Sequence, residues 1–65
     1  MRILVNGQAR EVAGATLQAA LVELGYGDTR VATAVDGDFV PATRRAACTL
    51  GENSAVEIVA PMQGG

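Results

Sequence analysis

From Met1 the apolar positions alternate, with Met1, Ile3 and Val5 on one side and Arg2 and Leu4 on the other. That is the period of a strand with one buried face. Asn6-Gly7 follows, a pair suited to a type I′ turn because both central residues must take positive φ. Residues 8–12 are therefore predicted to return antiparallel. From Thr16 the period changes: Leu17, Ala20, Leu21 and Leu24 fall at i, i+3, i+4 and i+7, one apolar stripe of a helix over residues 16–24. Thr16 can cap its start, and Gly25 can end it in the left-handed conformation.

After a loop over residues 26–29, the run VATAV at 31–35 is β-branched enough for a strand. Asp36-Gly37-Asp38 reads as a turn and Phe39-Val40 as a short return, which Pro41 stops or marks as an edge because it has no N–H to give the ladder. Residues 42–49 fit two readings: the alanines favour a helical turn, whereas Thr43, Thr49 and the arginine pair suit a loop. Gly51-Glu52-Asn53 then turns the chain into a last strand over residues 55–59.

The order hairpin, helix, strand, short strand, last strand predicts an α+β fold of two layers. One main helix covers a small mixed sheet of four to five strands. Parallel placement of the first and last strands side by side is the economical arrangement, although periodicity leaves strand order open. The domain spans residues 1–60 and a flexible tail spans 61–65. Pro61 releases the chain from the ladder, and six extended residues from 60 to 65 reach at most about 20 Å.

Composition narrows the chemistry. The 65 residues make one domain, 49% hydrophobic, with one Tyr, one Phe and no Trp, so the core is aliphatic. Five basic residues, all arginine, stand against seven acids for a formal net charge of −2, and no basic stripe suggests nucleic acid. Without histidine, and with Cys48 alone, no catalytic triad or zinc spacing can be assembled. A lone cysteine makes no internal disulfide and suits a reducing, cytoplasmic setting. The start MRILVNG has too short an apolar run for a signal peptide, and no stretch approaches a membrane span.

The chain closes on Gly64-Gly65. One reading is a disordered end or the remnant of a cut. The other is reactive: two residues without Cβ let a tail thread a narrow channel and present its carboxyl carbon. An ionised carboxylate is a poor electrophile and needs activation, for example as a mixed anhydride with AMP. The glycines form no phosphate loop, so ATP and Mg²⁺ would be bound by a partner enzyme, with no cofactor held by this chain.

MRILVNG, ATLQAALVELG, VATAVDGDFVP and VEIVAPMQGG together resemble the ThiS-type sulfur carriers of thiamine biosynthesis, within the β-grasp (ubiquitin-like) superfamily, over the whole chain. The resemblance implies that an E1-like adenylyltransferase of the ThiF type adenylates Gly65. Sulfur from a cysteine desulfurase persulfide then leaves a Gly65 thiocarboxylate, and a ThiG-type thiazole synthase accepts that sulfur. It implies too that Gly64 keeps the carboxyl end narrow and that Met62 and Gln63 contact the partner's groove. The protein would be a carrier and co-substrate rather than an enzyme, with neither nucleic acid nor membrane as a partner. Three alternatives stay open: a carrier for another pathway (MoaD-like, or cysteine or tRNA thiolation), a ubiquitin-like modifier, and an interaction module with an unreactive tail.

Three further positions carry two readings each. Cys48 has no base beside it in sequence and reads first as a small core residue, second as a redox site. Arg44-Arg45 reads as a solvated charge pair, or as a contact for an acidic partner. Phe39 reads first as core, and second as part of an apolar patch for partner enzymes.

Overall fold

A computed structural model describes residues 1–27 and 29–60; residue 28 and residues 61–65, which hold the predicted tail with Pro61, lie outside the described residues. The elements run β1 (Arg2–Val5), β2 (Gln8–Glu11), α1 (Leu17–Glu23), β3 (Ala32–Val35), β4 (Asp38–Val40), a 3₁₀ helix (Ala42–Ala47) and β5 (Ala55–Val59). The sheet order is β2-β1-β5-β3-β4. β1 and β5 pair in parallel at the centre, as economy suggested, and the other pairs are antiparallel.

Both hairpins turn on two residues of positive φ: Asn6 (50°) and Gly7 (86°), then Asp36 (51°) and Gly37 (89°). These pairs are type I′ turns, whose twist matches that of the flanking strands. The second turn is one residue tighter than its sequence suggested, because Asp38 already pairs with Val35 and opens β4. The Thr16 side chain accepts the Ala19 N–H and caps α1, while Gly25 leaves it at φ 93°. Residues 42–49, open between helical turn and loop, resolve mainly into the 3₁₀ helix.

Inward positions of β1 and β5 (Ile3, Val5, Val56, Ile58) meet Leu17, Ala20 and Leu21 of α1, and Val12, Val31, Val40 and Leu50 close the edges of the core. Each buried Val, Leu or Ile side chain contributes about 1.5–3 kcal/mol relative to exposure. The helix start is tied down by backbone bonds from Leu17 N–H to the Cys48 carbonyl (2.8 Å) and from Leu50 N–H to the Ala15 carbonyl (2.8 Å). Among the described residues Thr33 is the buried polar one, and its hydroxyl donates to the Val40 carbonyl at 2.8 Å.

Candidate functional site

The strand that leads to the C-terminus occupies the middle of the sheet, and pleating sorts its residues. Val56 and Ile58 point inward and are buried, whereas Ala55, Glu57 and Val59 are exposed. Cross-strand register extends this sorting to the neighbours. Val40, Thr33 and Ile58 form one row on the helix side, and Phe39, Ala34 and Glu57 form the adjacent row on the open side. Ala32 pairs with Val59 beyond it.

The open face therefore collects Ala32, Ala34, Phe39, Glu57 and Val59 around one shallow depression. Phe39 is 70% and Val59 64% exposed. The reading of Phe39 as core is thus overturned: β4 alternates, Val40 takes the inner position, and the side chain before it must face out. The large apolar residue lies instead in the same depression as the last residue of β5.

On its other side Phe39 borders a groove of about 540 Å³, walled by Val40, Pro41, Arg44, Ala47 and Cys48. Cys48 is a half-buried free thiol packed against the core, in keeping with its first reading. The arginine pair divides. Arg44 is exposed along the groove, but Arg45 is half-buried and donates to the Thr33 hydroxyl (3.0 Å) and the Val31 carbonyl (2.6 Å). Its expected solvation is corrected, because the 3₁₀ helix turns one of two consecutive side chains toward β3.

On the β1 side, the Ile58 backbone of β5 is held by a residue that sequence reasoning treated only as a turn former. The Asn6 side chain accepts the Ile58 N–H at 2.9 Å and donates to the Ile58 carbonyl at 3.0 Å. No signal in the sequence distinguishes this from the ordinary use of asparagine in an Asn-Gly turn.

Among the carboxylates, Glu23 is displaced from its ordinary titration. The backbone N–H groups of Ala13 (2.8 Å) and Gly14 (2.6 Å) hold its pKa below the usual glutamate value. No group of three His, Cys, Asp or Glu residues that could hold a metal occurs among the described residues. No helix among them is long and apolar enough to cross a membrane. The predicted site residues Met62, Gln63, Gly64 and Gly65 lie outside the described residues. What the described residues offer is an apolar surface with one carboxylate, beside the strand that precedes the C-terminus.

The ThiS family model matches residues 3–65. A crystal structure of a thiamine biosynthesis protein (ThiS) from Geobacter metallireducens is 28% identical, with a TM-score of 0.81 and full coverage of both chains. An NMR solution structure of a thiamine biosynthesis protein from Geobacter metallireducens is also 28% identical, with a TM-score of 0.78, covering 100% of this chain and 88% of that one. None of the curated protein sequences compared with the chain matches it.

Proposed function

The chain belongs to the ThiS family, and on that premise we propose that it is a sulfur carrier of thiamine synthesis whose reactive group is the α-carboxylate of Gly65. The observation that carries this reading is the span of the family match, which runs through the terminal Met62-Gln63-Gly64-Gly65. The domain of residues 1–60 presents a docking face, and residues 61–65 form the part on which partner enzymes act.

The chemistry follows from the carboxylate. It is ionised at neutral pH and has no leaving group. An E1-like, ThiF-type enzyme that binds ATP and Mg²⁺ lets a carboxylate oxygen attack the α-phosphorus, expelling pyrophosphate and forming the glycyl adenylate. The terminal sulfur of a cysteine desulfurase persulfide then attacks the acyl carbon and AMP leaves. A thiol then attacks the desulfurase cysteine sulfur of the resulting acyl persulfide, forming a disulfide with that cysteine and releasing the Gly65 thiocarboxylate. A ThiG-type thiazole synthase draws on that sulfur for the thiazole ring. This chain contributes no catalytic group, and a reducing cytoplasm keeps Cys48 and the thiocarboxylate reduced.

The open-face patch gives the partners something to hold. Phe39 and Val59 are large, apolar and exposed in one depression that ends at the last residue of β5. Exposed apolar residues so grouped mark interaction surfaces. Glu57 inside the patch adds a charge that a basic partner residue can pair.

The deciding experiment is intact mass after incubation with ATP, Mg²⁺, the activating enzyme, a cysteine desulfurase, cysteine and a thiol reductant, beside a variant lacking Gly65. Replacement of one oxygen by sulfur, absent from the variant, supports the carrier. No mass change with active enzymes overturns it. Delivery of the sulfur to a synthase other than that of the thiazole would assign the carrier to another pathway, and isopeptide adducts would make it a protein modifier.

A further inference from the structure

The parallel ladder between β1 and β5 has a third rung that the backbone does not supply. The carbonyls of Ser54, Val56 and Ile58 are spaced two residues apart along one edge. The first accepts from Leu4 N–H (2.9 Å) and the second from Asn6 N–H (2.9 Å). The next donor of a continuing strand would be the residue 8 N–H, but at Asn6 the chain reverses into β2. The Asn6 side chain stands in, with Nδ2 donating to the Ile58 carbonyl at 3.0 Å and Oδ1 accepting the Ile58 N–H at 2.9 Å.

A carboxamide is planar, with one donor end and one acceptor end, and so reproduces what a peptide group offers. Other residues fail one requirement or another. Glycine makes the turn but no rung. Aspartate tolerates the left-handed turn yet sets a second acceptor against the Ile58 carbonyl. Alanine lacks both groups and is strained at φ 50°. Ile58 is buried to 6% exposure and both bonds are partly buried, so its backbone groups would otherwise lack a protein partner on that edge. On the opposite edge β3 holds β5 as far as the Ala32–Val59 pair.

We propose that Asn6 is a positioning residue for the reaction at the C-terminus: its side chain extends the two-sided hold on β5 to Ile58, one residue short of the strand's end. This rests on the carrier reading above. With the rung in place β5 is held on both edges up to Ile58, next to the depression that Val59 shares with Phe39. Without it the two-sided hold stops at Val56, Ile58 and Val59 are held by β3 alone, and partner enzymes must restrain that freer strand end to seat the same terminal glycine.

The test uses the full chain with Asn6→Gly and Asn6→Asp, read by amide hydrogen exchange and by the kinetics of adenylation. In Asn6→Gly, exchange at the Ile58 amide accelerates about tenfold or more while Leu21 in α1 keeps its protection. The KM for the carrier rises about tenfold and kcat stays within about twofold, because the interaction lost is one of ordering before the chemistry. Asn6→Asp, which keeps the acceptor for the Ile58 N–H, falls between. Should Asn6→Gly lose protection at Leu21 as well, Asn6→Asp is judged by the same KM criterion. A mere contribution to stability leaves KM unmoved in a folded variant, and that result overturns the positioning role, as does unchanged exchange at Ile58. If the wild-type chain is not adenylated at all, the carrier reading fails and this role with it; if it is adenylated and KM does not move, only the role of Asn6 fails.

Discussion

Arg45 and Thr33 meet through one hydrogen bond of 3.0 Å, from Nε to the hydroxyl, and the same hydroxyl donates to the Val40 carbonyl at 2.8 Å. The second arm of the guanidinium donates to the Val31 carbonyl at 2.6 Å. A cation is thereby built into the seam between the 3₁₀ helix and β3, with no carboxylate among the described residues paired to it. The fixed fork of arginine suits two acceptors at this spacing better than an ammonium does.

Replacing Arg45 by Met keeps the apolar stem and deletes both bonds. The expected loss is about 1.5–3 kcal/mol, the range for hydrogen bonds from charged groups, discounted toward its lower end because the side chain is only half-buried. Arg45→Lys should recover less than half of it. Arg44→Met, at an exposed position, should stay within about 0.5 kcal/mol. Urea midpoints at unchanged m separate the two arginines, and equal losses would refute the division of roles.

Glu23 gives the fold a pH dependence that can be isolated. Its folded-state pKa is lowered by the Ala13 and Gly14 N–H groups, so the unfolded chain binds the proton more readily. The contribution is whole above the unfolded value, about 4.3, and is lost as pH falls through the lowered folded value. Glu23→Gln should therefore be less stable than wild type at neutral pH, with the gap closing on acidification. Thermal midpoints between pH 7 and pH 3 test the sign, and a gap that widens in acid would contradict it.

The same loop holds a glycine for steric reasons. A Cβ at Gly14 would overlap the Ala19 methyl and crowd the Glu23 carboxylate, so Gly14→Ala should cost about 1–3 kcal/mol, the usual range for overpacking. Adding Ala19→Gly relieves the overlap while itself costing about 1 kcal/mol of helix propensity. The double variant should thus be more stable than the sum of the single losses predicts, a coupling that a double-mutant cycle reads directly.

Local chemistry made most of this fold legible in sequence. Asn6-Gly7 and Asp36-Gly37 announce the hairpins, because few dipeptides tolerate two positive φ angles. Leu17, Ala20 and Leu21 announce the buried stripe of α1. The resemblance carried by MRILVNG, ATLQAALVELG, VATAVDGDFVP and VEIVAPMQGG together led to the family that the comparison of residues 3–65 establishes. What escaped were contacts between elements distant in the chain. Asn6 meets Ile58 across 52 positions and Arg45 meets Thr33 across 12, and nothing local distinguishes them from a turn residue and a surface charge. Phe39 was misread because a three-residue strand is too short for alternation to reveal its inner face.

That misreading leads to the sharpest prediction about the surface. Phe39 is 70% exposed in the depression it shares with Val59, so Phe39→Ser removes little buried area and should change stability by less than about 1 kcal/mol. If the open face is where the activating enzyme docks, the same change should weaken binding about 30-fold, the scale of a hot-spot aromatic at about 2 kcal/mol. Val59→Ser should weaken it in the same direction. Val22, 58% exposed on α1, is the control: it is equally apolar but belongs to the helix layer, and Val22→Ser should leave binding unchanged. Calorimetric titration of the three variants against the activating enzyme, with a melting curve for each, distinguishes the cases. Loss of folding in Phe39→Ser would restore the core reading, whereas equal weakening by Val22→Ser would show that the partner grips the helix layer as well as the open face.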